Sequence, residues 1–225
     1  TFTNFGEGIR FVDPYTGEHR DSTKADLEKT SLVIDSLEWC ETVERAMCSH
    51  DKPPVVQAIH NAEAAMTHTS KHIWMCPVDR NQTPKIIDIC AAIVGSKEKL
   101  KERPLLTFTT CPISPLKLPK HHCEIIMDAA ANGLAVNVIG MALSGGSSPV
   151  HLAGTLVIQN CEILSSLVLS QSSQKGTPFV YGSSTCPMDL RMATATVGSP
   201  ETGMISAAVA RLARYYSLPS FVAGG

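Results

Sequence analysis

Residues 136–150 constrain the fold more than any other stretch. Val136-Asn137-Val138-Ile139-Gly140 is an apolar, β-branched run of strand length, and Ser144-Gly145-Gly146-Ser147-Ser148 is a small-residue loop that delivers the chain into a long helical pattern from Pro149. A strand that empties through a tight polar loop into a helix is half of a parallel βα unit. Ligands of parallel α/β folds gather outside the carboxyl ends of the strands. Ser144, Gly145, Gly146 and Ser147 are therefore the first place to look for function.

The same grammar recurs along the chain. Alternating polar and aromatic residues predict a strand over 1–8, and strand patterns follow at 43–48, 72–75, 105–110, 179–183 and 220–223. Between them lie helical patterns. One is capped by Ser22 or Thr23, one opens at Pro53-Pro54, and the others cover 84–94, 118–131, 149–171 and 200–216. The alternating-sign run 97–103 reads as a solvated helix end, and 186–189 as a loop. Seven strands with repeats of roughly thirty to forty residues predict right-handed parallel crossovers. A closed (β/α)8 TIM-type barrel needs eight, so the expectation is one incomplete barrel domain over 1–225, lacking an N-terminal extension and the closing strand. An open doubly wound sheet uses the same units. The absence of a G-x-G-x-x-G turn after the first strand favours the barrel.

Composition narrows the partners. With 225 residues, 44% hydrophobic and 18% charged, the chain can bury one substantial core. A net charge of −2 without a basic run argues against nucleic acid or anionic lipid as partners, and polar residues punctuate every long apolar stretch, so no membrane span is expected. Eight cysteines with no C-x-x-C pair read as reduced thiols in a cytoplasmic protein. Cys76, Cys111 and Cys186 each precede a proline near a strand end, where with His50 they can hold a zinc ion; a strand-ending Cys-Pro is the simpler reading, and no metal is expected. His121-His122-Cys123 cannot share one ion from a helix and reads as a solvated helix start. The Ser144 loop can cradle an anion through its N–H groups, or it can be a turn that needs small residues.

The run 144–157, then Tyr181-Gly182-Ser183-Ser184, Val197-Gly198-Ser199-Pro200-Glu201 and Leu218-Pro219-Ser220-Phe221-Val222-Ala223-Gly224 resemble the trimethylamine–corrinoid methyltransferase family in order and spacing. The resemblance thins toward Thr69-Ser70-Lys71-His72 and Phe5-Gly6. It implies a (β/α)8 barrel that moves a methyl group from trimethylamine to the Co(I) of a corrinoid carried by a cognate partner protein, or from a quaternary amine such as glycine betaine. It also implies a pyrrolysine at or directly after the position matching Gly225 in the trimethylamine enzymes. Pyrrolysine is encoded by an amber codon, so a gene reading that treats the codon as a terminator is expected to stop here. On this reading Gly225 and Glu201 belong to the catalytic region, and Phe2, Phe5, Trp74, Tyr181 and Asp79 bind the substrate cation. Aromatic faces attract an alkylammonium and an acid balances its charge. The Ser144 loop faces the corrinoid, and a homo-oligomer keeps that strand-end face clear.

Overall fold

Strand and helix alternate as the punctuation predicts in the computed structural model, which describes residues 2–77 and 80–224. The chain is an α/β fold whose parallel strands and intervening helices are consistent with part of a TIM-type barrel. It divides into two compact units, Thr1–Phe108 and Thr109–Gly225.

In the first unit, β1 (Arg10–Val12) and β2 (His19–Asp21) form an antiparallel hairpin. Its turn is closed by Asp13 Oδ1, which accepts the N–H groups of Tyr15 and Thr16, and by Gly17 at φ 72°. Helix α1 (Lys24–Ser36) starts at a capping box in which Thr23 and Asp26 satisfy each other's N–H groups. Three parallel strands follow, β3 (Thr42–Glu44), β4 (His72–Met75) and β5 (Leu106–Thr110). Helix α2 (Pro54–His68) connects the first two; α3 (Thr83–Val94) and α4 (Lys97–Glu102) connect the second pair. Gly95 at φ 100° ends α3 and the Ser96 hydroxyl caps α4, so the charged run is a short helix of its own rather than the tail of α3.

The expected strand over 1–8 is not a strand. Among the described residues this segment runs beside β3 through isolated parallel bridges, Phe2 to Cys40 and Gly8 to Met47. The Asn4 side chain fills the middle: its amide donates to the Glu44 carbonyl at 2.8 Å and its oxygen accepts the Glu44 N–H at 2.9 Å. A side chain occupies the place of a backbone ladder, and Glu7 at φ 68° breaks the extended path. Among the described residues, six parallel strands of the main sheet therefore stand where seven were expected.

The second unit holds α5 (Lys120–Ala131), β6 (Ala135–Gly140), β7 (Leu143–Ser144), α6 (Leu152–Ser173), β8 (Phe179–Ser183), β9 (Cys186–Asp189), β10 (Thr194–Ala195), α7 (Pro200–Tyr215) and β11 (Ser220–Val222). Strands β6, β8 and β11 are parallel neighbours, with Gly140 beside Ser183 and Ser183 beside Val222. Their carboxyl ends thus lie along one edge. The expected loop at 186–189 is instead the centre of a small sheet, β10-β9-β7. Helix α6 is long and apolar enough to cross a membrane by length and composition alone. It is a core helix: Thr155, Gln159, Glu162, Ser166 and Ser170 are buried on it, and the Gln159 amide donates to the Gly182 carbonyl on β8. His122 is fully buried rather than solvated. Its ring joins Thr110 on β5 at 3.1 Å to Ser166 on α6 at 3.0 Å, and burial, with His121 adding to it, lowers its pKa to about 4.

Candidate functional site

Strand register sorts every side chain to one of two faces. On β5, Thr110 reaches His122 of α5, so Leu106 and Phe108 share the helix-side face, as do Ile73, Met75 and Val43 through the pairing of β3, β4 and β5. These five are at most 3% exposed. The opposite face in the first unit carries Thr42, Glu44, His72, Trp74 and Thr107. Interiors of barrels of this type are filled by Val, Ile and Leu. A face built from a carboxylate, an imidazole, an indole and hydroxyls is a surface made to meet something polar.

Glu44 is the centre of that face. It is 8% exposed, it sits beside Trp74 in the β3–β4 register, and its Oε2 has no hydrogen-bond partner among the described residues. Burial first, then the Glu7 carboxylate, push its pKa up to about 7, against a smaller opposing pull from Arg45. Arg45 is itself 2% exposed and already engaged: it pairs with Glu7 and donates to the Cys76 carbonyl at the end of β4. Gly6 lies against the Glu44 side chain, where a Cβ would approach Cγ to 2.6 Å. Nearby His72 donates to or accepts from Thr107 Oγ1 at 2.8 Å, and burial holds its pKa below the ordinary value.

In the second unit, Gly140 faces Gln159 and Ile163 of α6, so Val136, Val138, Tyr181 and Ser183 lie on the helix side and Asn137, Ile139, Val180, Gly182 and Phe221 on the other. Asn137 is fully buried, and neither atom of its amide is hydrogen-bonded among the described residues. Gly182 is required beside it: a Cβ there would stand 2.5 Å from Asn137 Oδ1 and 2.6 Å from the Val138 carbonyl.

The loop after β6 is closed on itself. The N–H groups of Gly146, Ser147 and Ser148 all point at the Leu143 carbonyl, at 2.9, 3.0 and 3.0 Å, and Gly145 N–H donates to the Ser148 carbonyl at 3.0 Å. Ser144 Oγ donates to the carbonyls of Pro149 and Val150, and Ser147 Oγ accepts the Leu143 N–H. No N–H of 145–148 is left to cradle an anion. The small residues answer to packing instead: a Cβ on Gly146 would meet Met188 Sδ at 2.6 Å, and one on Gly145, already at φ 85°, would touch Leu190 and Val150.

Of the aromatic residues expected to form a cage, Trp74 is on the polar face, and Phe2 and Phe5 are exposed beside β3. Tyr181 is not available to a cation. It is fully buried on the helix side, its hydroxyl donates to Gln159 Oε1 at 3.2 Å and Asn160 Oδ1 at 2.7 Å, and its ring stacks on Tyr216. Glu44, Asn137 and Phe221, which sequence reasoning did not single out, lie on the faces turned away from the helices, where strand parity puts Phe221 rather than Tyr181. Glu201 is exposed in the first turn of α7, whose start is capped by Ser199. Asp79 and Gly225 lie outside the described residues. Among the described residues no three His, Cys, Asp or Glu side chains come together as a metal site. Burial also raises the Cys186 thiol pKa, against thiolate formation.

Comparison with known proteins decides the lineage. The model of the family described as trimethylamine methyltransferase (MTTB) matches residues 4–225. The chain belongs to the MTTB family. Within that family it is 46% identical over 224 residues to trimethylamine methyltransferase MttB of Desulfitobacterium hafniense, covering 100% of this chain and 45% of that protein. The Methanosarcina thermophila protein of the same name is 40% identical over 230 residues, covering 99% of this chain and 47% of the relative. Glycine betaine methyltransferase of Desulfitobacterium hafniense is more distant, 29% identical over 221 residues that cover 98% of this chain and 46% of that protein. The chain thus spans about half the length of the MTTB relatives it matches.

Proposed function

We propose that this chain is part of an enzyme that transfers a methyl group from trimethylamine to a corrinoid held by a separate partner protein. The observation that carries the reading is the family match over 4–225. Trimethylamine is preferred over a quaternary amine because identity is 46% to a trimethylamine methyltransferase and 29% to a glycine betaine methyltransferase.

The corrinoid, when docked, supplies the cobalt that accepts the methyl group. The chain's own task is to bind a small cation, strip its water and aim one methyl group outward; a positively charged nitrogen then leaves as a neutral amine without any proton having to move. Trp74 offers a ring face on the polar side of β4, with Phe2 and Phe5 as exposed rings near β3. From the family resemblance alone, Asp79 is also proposed to bind the cation, and Glu201 and Gly225 are proposed as catalytic residues. Pyrrolysine next to Gly225 belongs to the same proposal.

The partner's approach is supported by the edge where β6 and β8 end. Met141, Val150, Leu190, Met192 and Val197 are all exposed on segments leaving those strands, around the self-closed loop of Ser144, Gly145, Gly146 and Ser147. A rigid loop amid exposed apolar residues suits docking of a second protein. Self-association on the helix side, where Val157, Val168 and Met204 are exposed, leaves that edge clear. The free thiols of Cys40, Cys48, Cys90, Cys123, Cys161 and Cys186 suit a reducing cytoplasm.

The test is methyl transfer by the full-length protein to a reduced corrinoid protein. Transfer from trimethylamine is expected. Transfer from glycine betaine alone selects the quaternary-amine reading, and transfer from neither overturns both.

A further inference from the structure

We propose that Glu44 and Trp74 form a binding site for a small alkylammonium cation in the first unit, with the Glu44 carboxylate as the counter-charge. The inference rests on the methyl-transfer reading for which cation is bound, and on the geometry for where it binds.

Three observations converge on the site. Glu44 Oε2 is buried and has no hydrogen-bond partner among the described residues, although the residue is only 8% exposed. A buried carboxylate in that condition costs several kcal/mol in its ionised form unless a proton or a bound cation compensates it, so a cation can take the proton's place. Second, the local cation is shared: Arg45 is paired with Glu7 and donates to the Cys76 carbonyl, so two carboxylates face one guanidinium and ionised Glu44 leaves one negative charge unbalanced. Third, the neighbour in register across the strand pair is Trp74, whose ring supplies the apolar face that an alkylated nitrogen prefers and a metal ion does not. Gly6 presses on Glu44 Cγ from the N-terminal segment, and Asn4 locks that segment to the Glu44 backbone, so the carboxyl group is held in place before any ligand arrives.

Burial, Glu7 from the N-terminal segment and Arg45 from its own strand end set its charge, and His72 lies along the same face of β4. Glu44 titrates near neutrality, whereas an aliphatic ammonium stays charged throughout that range. Cation affinity is therefore expected to rise with pH as the carboxyl group ionises.

The experiment uses the full-length protein and trimethylammonium chloride as the probe, measured by titration calorimetry from pH 5.5 to 8.5. Trimethylamine demethylation with the corrinoid partner is measured in parallel. In the wild type, affinity is expected to increase about tenfold across the range. Glu44→Gln, which is isosteric, is expected to lose that pH dependence, bind at least tenfold more weakly at pH 8 and raise KM by a similar factor. Glu44→Asp keeps the pH dependence at reduced affinity, a pattern that a purely structural carboxyl group does not produce. If the wild type demethylates trimethylamine and Glu44→Gln binds the probe equally well at pH 8, the site is wrong and the methyl-transfer reading survives. A wild type that neither binds nor demethylates the amine overturns both.

Discussion

Glu44 makes stability depend on pH in the sense opposite to most acids. Its pKa is about 7 in the fold against 4.5 for an ordinary glutamate, so between those values the unfolded chain releases a proton that the folded chain keeps. Stability therefore falls as pH rises from about 4.5 to about 7, by an amount on the order of 3 kcal/mol. Glu44→Gln should flatten this component, seen as urea midpoints that converge at pH 5 and 8. Asp26 works the other way: Arg20, followed by the Thr23 hydroxyl and N–H, holds its pKa far below the usual range against burial, so its contribution is present above that range and lost on acidification. At Gly182 the constraint is steric. Alanine would drive a methyl group into Asn137 and the Val138 carbonyl on β6, costing about 1–3 kcal/mol in thermal unfolding.

Elements are tied together by a few polar clamps. Arg20 on β2 grips the Asp26 carboxylate with two bonds of 2.6 and 2.8 Å and lies 4.6 Å from the Phe11 ring centroid, joining the hairpin to the start of α1. Arg20→Ala should cost about 1–3 kcal/mol and loosen the first turn of α1, readable as faster amide exchange there. Tyr181 clamps β8 to α6. Tyr181→Phe removes its bonds to Gln159 and Asn160 and should cost about 1–2 kcal/mol, with KM for the amine unchanged because the ring faces the helices.

For the molecule as a whole, Leu190→Asp combined with Met192→Asp should slow methyl transfer at least tenfold at low corrinoid-protein concentration, recovering as the partner is raised. The order of elements was legible because Pro, Gly and Ser punctuate it: Pro54, Gly133 and Ser199-Pro200 mark helix boundaries that formed where expected. The site was less legible. β3 is only three residues long, too short for alternation to reveal that Glu44 turns away from Val43. Tyr181 and Phe221 look alike in print until Gln159 fixes which side of β8 faces a helix. Glu7 was equally hidden, since nothing local announces a left-handed residue paired with a buried arginine. One consequence follows from Asn4. Because a single amide group stands in for the middle of a ladder, Asn4→Asp would replace its donor with a charge facing the Glu44 carbonyl. Residues 2–6 would then fray as a strap while Glu7 and Gly8 stay bonded to Arg45 and Ala46, and a protease added to that variant should trim its front end and leave the remainder whole.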